Sequence, residues 1–304
     1  MLRVALVAGL ILLALAPASA QQPSGAPVLV VYHAWPDPEA GRPDADPFSS
    51  PDALPLPGLP AERLPATRAD GVLDADPAPE GNPDSAVTQV RELQRLVDLR
   101  AATGSPATLD VDGALQPGAL AVDVNVTAQE PLGLVEARVV LVEDGIPFDA
   151  GGGTQMLRHV ARASAPAERA NLSAVGASFG LHREIALPNG TDPARVGVVV
   201  ALRVVDPSDP AREPGEVVQA ASWTARQAGP THQAEKAVLV ERLTATWCEP
   251  CSPGDAAVSL LAARDAPAAQ SAGARYLQPV GPWAAAGLAA GLGAFALLLR
   301  RRAA

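Results

Sequence analysis

Between residues 120 and 224 the chain repeats one pattern, and that pattern restricts the fold more than any other feature. Short alternating or β-branched runs at 120–127, 135–142, 157–163, 174–187, 195–205 and 216–224 are broken by Asp144-Gly145, Gly151-Gly152-Gly153, Pro188-Asn189-Gly190 and Pro214-Gly215. A side-chain period of two places apolar residues on one strand face, and Gly, Pro and Asn at the breaks supply tight-turn backbone angles. Six or seven such strands predict an antiparallel β-sandwich of immunoglobulin-like type over residues 118–228. Aromatic residues make up 3% of the chain, so Val, Leu and Ala must fill this core.

Flanking the sandwich are signals of another kind. Val28-Leu29-Val30-Val31-Tyr32 reads as a buried strand ending at His33, and 36–83 is an irregular insert dense in Pro, Asp and Gly. A helix is expected from Asp84 or Ser85, with Val87, Val90, Leu93, Leu96, Val97 and Leu99 at mostly three-to-four spacing, ending near Thr103-Gly104. The run from Pro106 to Asp112-Gly113 reads as a proline-led strand into a tight turn. Beyond the sandwich, Val238-Leu239-Val240-Glu241-Arg242-Leu243-Thr244 is strand-like, and a helix is expected over 255–264 with Val258, Leu260 and Leu261 as contacts.

Between that last strand and helix stand the chain's two cysteines, in Trp247-Cys248-Glu249-Pro250-Cys251. A Cys-x-x-Cys pair at a strand-to-helix turn suits dithiol–disulfide exchange. Helix N–H groups favour a thiolate on the first sulfur, and the second lies one turn along, in reach of a mixed disulfide.

The chain ends read as addresses. Arg3, an apolar core over 4–16 and Ala18-Ser19-Ala20 make a secretory signal, residues 1–20. Residues 266–279 form a small-residue linker. The stretch 280–299 carries no charge and precedes Arg300-Arg301-Arg302. About 20 residues rising ~1.5 Å each span a ~30 Å hydrocarbon core. A single-pass anchor follows, with 300–304 cytoplasmic, Trp283 at the outer interface and the N-terminal ectodomain outside the cell membrane. A glycolipid-type tail is the rival reading, but such tails rarely end in three arginines. Asn125-Val126-Thr127, Asn171-Leu172-Ser173 and Asn189-Gly190-Thr191 are glycosylation sequons that suit an exported chain.

The Trp-Cys-x-Pro-Cys segment after a β-branched strand resembles the thioredoxin superfamily. Val30-Val31-Tyr32-His33, Asp46-Pro47-Phe48, Val111-Asp112-Gly113 and Leu141-Val142-Glu143-Asp144-Gly145 are similar to its Omp28-related exported branch. The resemblance implies a thioredoxin-like α/β domain, but with its parts out of order. The first strand and active-site helix would be 238–243 and 248–264, the second strand 28–32, the second helix 85–103 and the hairpin 106–113. The expectation is therefore α/β plus all-β: a circularly permuted thioredoxin-like domain in two halves, 27–115 and 236–265, with the sandwich inserted and a C-terminal transmembrane helix. Permutation is physically reasonable because domain termini usually lie together at the surface.

The resemblance also assigns roles. Cys248 would be the nucleophile and Cys251 the resolving thiol, Pro250 would shape the first helical turn, and Trp247 would shield the sulfur or simply pack. Pro106 would be the cis-proline beside which a substrate pairs as an added strand, or an ordinary strand-leading proline. Family members carry a buried carboxylate six residues before the first cysteine. Here that position is Arg242, a cation that would stabilise thiolate. His33, ending the neighbouring strand, would be a proton carrier or a structural histidine. The implied partners are thiols and disulfides of exported proteins. The alternative is a cell-surface interaction protein in which the Cys248–Cys251 bond is a staple.

Other chemistry finds no footing. A net charge of −10 argues against nucleic acid. No second cysteine pair or paired histidines complete a zinc site, no G-x-S-x-G elbow is present, and Gly151-Gly152-Gly153 opens no helix. No cofactor is implied.

Overall fold

Alternating and uninterrupted apolar runs sort the strands into two kinds of position. The computed structural model describes residues 20–21, 27–33, 48, 66–75, 85–149, 154–206, 208, 215–227, 229–244 and 252–265. In chain order the strands are β1 (Ala20–Gln21), β2 (Pro27–His33), β3 (Ala66–Ala69), β4 (Leu73–Asp74), β5 (Ala107–Gln116), β6 (Ala119–Ala128), β7 (Gly133–Glu143), β8 (Ile146–Asp149), β9 (Thr154–Leu157), β10 (Val160–Ser164), β11 (Glu168–Leu172), β12 (Ser178–Ala186), β13 (Val196–Val204), β14 (Val217–Thr224), β15 (Thr231–Gln233) and β16 (Val238–Thr244). Helix α1 (Ser85–Ala101) follows β4 and α2 (Ser252–Asp265) follows β16. The chain divides into Met1–Asp265 and Ala266–Ala304, the second lying outside the described residues.

Alternation produces the sandwich. In β5, Ala107, Leu109 and Val111 are buried while Thr108, Asp110 and Asp112 face out. β6 repeats this with Val122, Val124 and Val126 against Asp123 and Asn125. The two strands form a hairpin around Pro117-Gly118, where Gly118 takes the left-handed φ of +78° that a side chain would resist. With β1, β15 and β12 they make a five-stranded sheet, β1-β15-β5-β6-β12. Its inner face packs on β7, β13 and β14 through Leu109, Leu120, Val139, Leu141, Val198, Val200 and Trp223. Each such side chain contributes about 1.5–3 kcal/mol by leaving water.

The facing sheet runs β14-β13-β7-β10-β2-β16-β3-β4, with β11 on β7. β2 and β16 are buried on both faces, which explains the near-continuous apolar run of β2 and the apolar residues on both faces of β16 around Glu241 and Arg242. They pair in parallel, Val31 opposite Arg242 and His33 opposite Thr244. β2 joins the sandwich strands through β10, where Val160 opposes Val31 and the Val31 N–H donates to the His159 carbonyl at 2.8 Å.

One face of β2 and β16 meets the helices. Leu29, Val31, Val238 and Val240 pack with Leu93, Leu96 and Val97 of α1 and Ala257, Val258 and Leu261 of α2. The other face, Val28, Val30, Tyr32, Leu239 and Leu243, packs with Val140, Val142, Val199, Ala201, Val217 and Ala220 of the same sheet. The sheet therefore curls on itself until β14 lies against β16, and the Val217 N–H donates to the Asp70 carbonyl at 2.9 Å across the seam.

Two expectations are corrected. A permuted thioredoxin-like α/β domain with an inserted immunoglobulin-like sandwich is not what forms. The protein is β-rich with few helices, and the strands assigned to the α/β unit are built into the sandwich sheets. The physical reason is local to β5. Gly113, read as a turn, is an in-strand residue, and a Cβ there would lie 2.6 Å from the Trp223 ring. The strand therefore runs on to Gln116 and forms its hairpin with β6 rather than closing a small α/β sheet. The membrane anchor is the second correction. Among the described residues no helix is long and apolar enough to cross a membrane, so the single-pass, outside-facing localisation and the transmembrane element of the fold are not supported. The stretch 280–299 on which they rested lies outside the described residues. Of the expected 1–20 leader, Ala20 is described, in β1, opposite Thr231.

Candidate functional site

β16 is fixed at several points along its length, and it delivers the chain to the cysteines. At its start, the Asp70 carboxylate accepts from the Leu239 N–H (2.8 Å), from Arg100 Nε (3.0 Å) and from Lys236 Nζ (2.8 Å). Asp70 is fully buried and holds φ +50°, a conformation that Asp tolerates better than most residues. Burial pulls Lys236, the chain's only lysine, below its ordinary pKa, and Asp70 works against that.

At mid-strand, alternation sends Glu241 into the interior of the curl and Arg242 toward the helices. Glu241 Oε2 accepts from Arg203 Nη2 of β13 at 3.2 Å, both side chains 1% exposed. Burial outweighs the neighbouring arginines and pushes the Glu241 carboxyl up to about 7. Tyr32, beside it on β2, is raised above its ordinary range by burial first and by Glu241 second.

At the end of β16 one carboxylate ties strand to helix. Asp255, in the first turn of α2, accepts from Arg242 Nε at 2.5 Å and from Thr244 Oγ1 at 2.9 Å, and Arg242 Nη1 donates to Thr67 Oγ1 at 2.8 Å. α2 begins at Ser252, directly after Cys251 in the chain. Trp247, Cys248, Pro250 and Cys251 themselves lie outside the described residues.

The other expected site residues are dispersed. Arg242 is brought to this loop, but its guanidinium is engaged by Asp255 and Thr67. His33 ends β2 opposite Thr244, is 8% exposed and meets Phe48 edge-on with ring centroids 5.5 Å apart. Pro106 leads β5 in the opposite sheet, where its carbonyl takes the N–H groups of Gln129 (2.7 Å) and Glu130 (3.2 Å). Of the sequon residues, Asn125 faces out from mid-β6, Asn171 from β11 with its Oδ1 accepting from Ser173 Oγ, and Asn189 occupies an exposed turn.

Sequence reasoning missed a surface cleft of about 450 Å³ on the outer face of the five-stranded sheet, lined by Asp110, Asp112, Asp123, Asn125, Thr231 and His232. His232 Nδ1 is hydrogen-bonded to Asp110, and His182 Nδ1 to Asp123 at 2.8 Å. The outward polar positions of β5 and β6 were visible as alternation, but their alignment depends on the 116–119 register of the hairpin. The cleft is acidic and would attract cations. Among the described residues, however, no three His, Cys, Asp or Glu side chains are arranged to hold a metal ion.

No family model and no curated protein matches the chain. Among solved structures, a structural-genomics protein from Agrobacterium tumefaciens aligns with 13% identity and a TM-score of 0.28, covering 44% of this chain and 54% of that one. A β-glucosidase from Kluyveromyces marxianus aligns with 10% identity and a TM-score of 0.24, covering 46% of this chain and 15% of the enzyme. The chain thus spans about half of the first protein and a small part of the second, and likenesses this weak carry no argument about fold or activity.

Proposed function

We propose that this protein is a thiol–disulfide exchange protein whose working group is the Cys248–Cys251 dithiol, carried on a β-rich scaffold. The observation that supports this reading is the way the described residues on either side of the dithiol are tied together. In the sequence the dithiol stands between β16, buried on both faces, and α2, and Asp255 of α2 bonds back to Arg242 and Thr244 at the strand's end. An exchange dithiol needs such a held connection, because the second sulfur must reach the first faster than a substrate thiol does.

In the reducing direction, the Cys248 thiolate attacks one sulfur of a substrate disulfide and expels the other as a thiolate. Cys251, as thiolate, then attacks the Cys248 sulfur, closing the 248–251 disulfide and releasing the second substrate thiol. The substrate gains two electrons and the dithiol loses two; the oxidising direction is the reverse. The partners are disulfides and thiols of other proteins. Incubating the reduced protein with a disulfide-bonded substrate such as insulin tests the reading. Wild type should catalyse reduction with a thiol donor present, Cys251→Ser should accumulate a mixed disulfide through Cys248, and Cys248→Ser should do neither. Absence of turnover in wild type, with a 248–251 bond that resists mild reductant, would make the pair a structural staple.

A further inference from the structure

Where the β3–β4 turn meets the start of β16, an amine and a carboxyl are held together away from water. Lys236 Nζ lies 2.8 Å from Asp70 Oδ2, with the two side chains 2% and 0% exposed. Ala69, Val217, Ala237, Val238 and Leu239, their neighbours in the chain or across the seam, are buried too. Both partners are fixed. The Asp70 N–H donates to the Leu239 carbonyl at 2.7 Å, and its carbonyl receives the Val217 N–H at 2.9 Å. Lys236 Nζ also donates to the Val217 carbonyl at 3.0 Å. With a C–O bond of about 1.2 Å, the amine nitrogen is at most about 4 Å from the Asp70 carboxyl carbon. Pre-aligned groups react from about 3–3.5 Å.

The surroundings suit attack on that carbon. Oδ1 accepts from the Leu239 N–H at 2.8 Å and Oδ2 from Arg100 Nε at 3.0 Å, so each oxygen has a donor in place when negative charge develops there. The charges of the cluster also balance. Lys236 and Arg100 meet Asp70, and Arg100 Nη2 bonds the Glu216 carboxylate. Removing the Lys236 and Asp70 charges together leaves Arg100 matched with Glu216 and strands no buried charge.

We propose that Lys236 and Asp70 condense into an intramolecular amide, a covalent modification that locks the β3–β4 turn to the start of β16. Within the pair, the ammonium passes a proton to Oδ2. The neutral amine then attacks the carboxyl carbon, a C–N bond forms and one C–O bond breaks. Of the three ammonium protons, one stays on the amide nitrogen and two leave with the departing oxygen as water. Nothing is oxidised or reduced, and no co-reactant is needed. Burial holds Lys236 below its ordinary pKa, which favours the neutral amine. Arg100 favours the carboxylate, so the neutral pair is a minor form. The freshly folded chain therefore carries the ion pair, and the amide accumulates as the folded protein ages. This chemistry is independent of the dithiol.

Peptide mapping by mass spectrometry, on full-length folded protein aged for several weeks, tests the proposal. Trypsin should be unable to cut after an acylated Lys236. Segments 69–91 and 227–242 should then appear as one branched peptide, lighter by one water than the two together. Its fraction should grow with time. Lys236→Arg keeps a cation but has no amine to acylate, so it should be cut after position 236 and give linear peptides only. Complete cleavage after Lys236 in aged wild type, with both segments linear, would overturn the proposal. Equal yields of the branched peptide from protein aged in urea would also overturn it, because the fold must supply the geometry. The wild-type map is decisive by itself should the variant fail to fold.

Discussion

Replacing Asp70 tests what holds the curled sheet shut. Its carboxylate serves two cations and one backbone N–H, while its own peptide N–H donates to the Leu239 carbonyl at 2.7 Å and its carbonyl receives Val217. Lys236 is 2% exposed and cannot turn to water when the carboxylate goes, whereas Arg100, 11% exposed, keeps the Glu216 carboxylate as a partner. Breaking a buried charge pair costs about 3–5 kcal/mol, and orphaning a buried N–H costs about 1–3 kcal/mol. These terms share one site and do not simply add. Asp70→Ala should therefore lose at least about 3 kcal/mol, including strain from a left-handed Ala. Asp70→Gly removes that strain while still deleting the carboxylate, so a similar loss there assigns the effect to charge. Asp70→Asn keeps the acceptor for Leu239 and should lose less. With the anion gone, Lys236 should shed its proton more readily, so the deficit of Asp70→Asn should narrow toward alkaline pH. Urea unfolding followed by far-ultraviolet circular dichroism measures the stability, and amide exchange at Leu239 and Val217 localises it. An Asp70→Ala variant within 1 kcal/mol of wild type would refute this account of the seam.

Gly113→Ala should destabilise by about 1–3 kcal/mol, because the new Cβ would sit 2.6 Å from the buried Trp223 ring; the urea midpoint reads it, and Trp223→Leu in the same chain should recover part of the loss. Asp255→Asn should cost about 1 kcal/mol, its carboxylate being 36% exposed, and should shift the Cys248–Cys251 reduction potential by loosening the loop's ends. The charge-removing surface control Glu92→Gln should leave that potential unchanged.

Several features were legible from the residues alone. The sandwich strands announced themselves by alternation and turn residues, and α1 by its spacing, its end falling where Gly104 takes φ +74°. Helix faces were read less well: Leu260, expected as a contact, is exposed, while Ala257 is buried. What sequence could not show was which sheet each strand joins. β2, β5 and β16 each read correctly as strands, yet grouping them into one α/β unit required Gly113 to be a turn. Its role in making room for Trp223, more than a hundred residues away, has no local signature. The same holds for Glu241. In the sequence it is one of two adjacent charged residues in a largely apolar strand, and only the curl reveals that it meets Arg203 in the buried interior. At the dithiol, the cysteines and their strand-to-helix position were readable, whereas the Asp255 tie was not, since it joins residues by their side chains across a loop.

The reduction potential of the Cys248–Cys251 pair, measured on the purified protein in glutathione buffers with Cys248→Ser as control, tests the proposed function most directly. A reversible two-electron couple between about −270 and −120 mV is the predicted result, and its position within that range sets whether the protein reduces or oxidises its partners. A bond that stays closed below about −300 mV would contradict exchange and leave the pair as a staple.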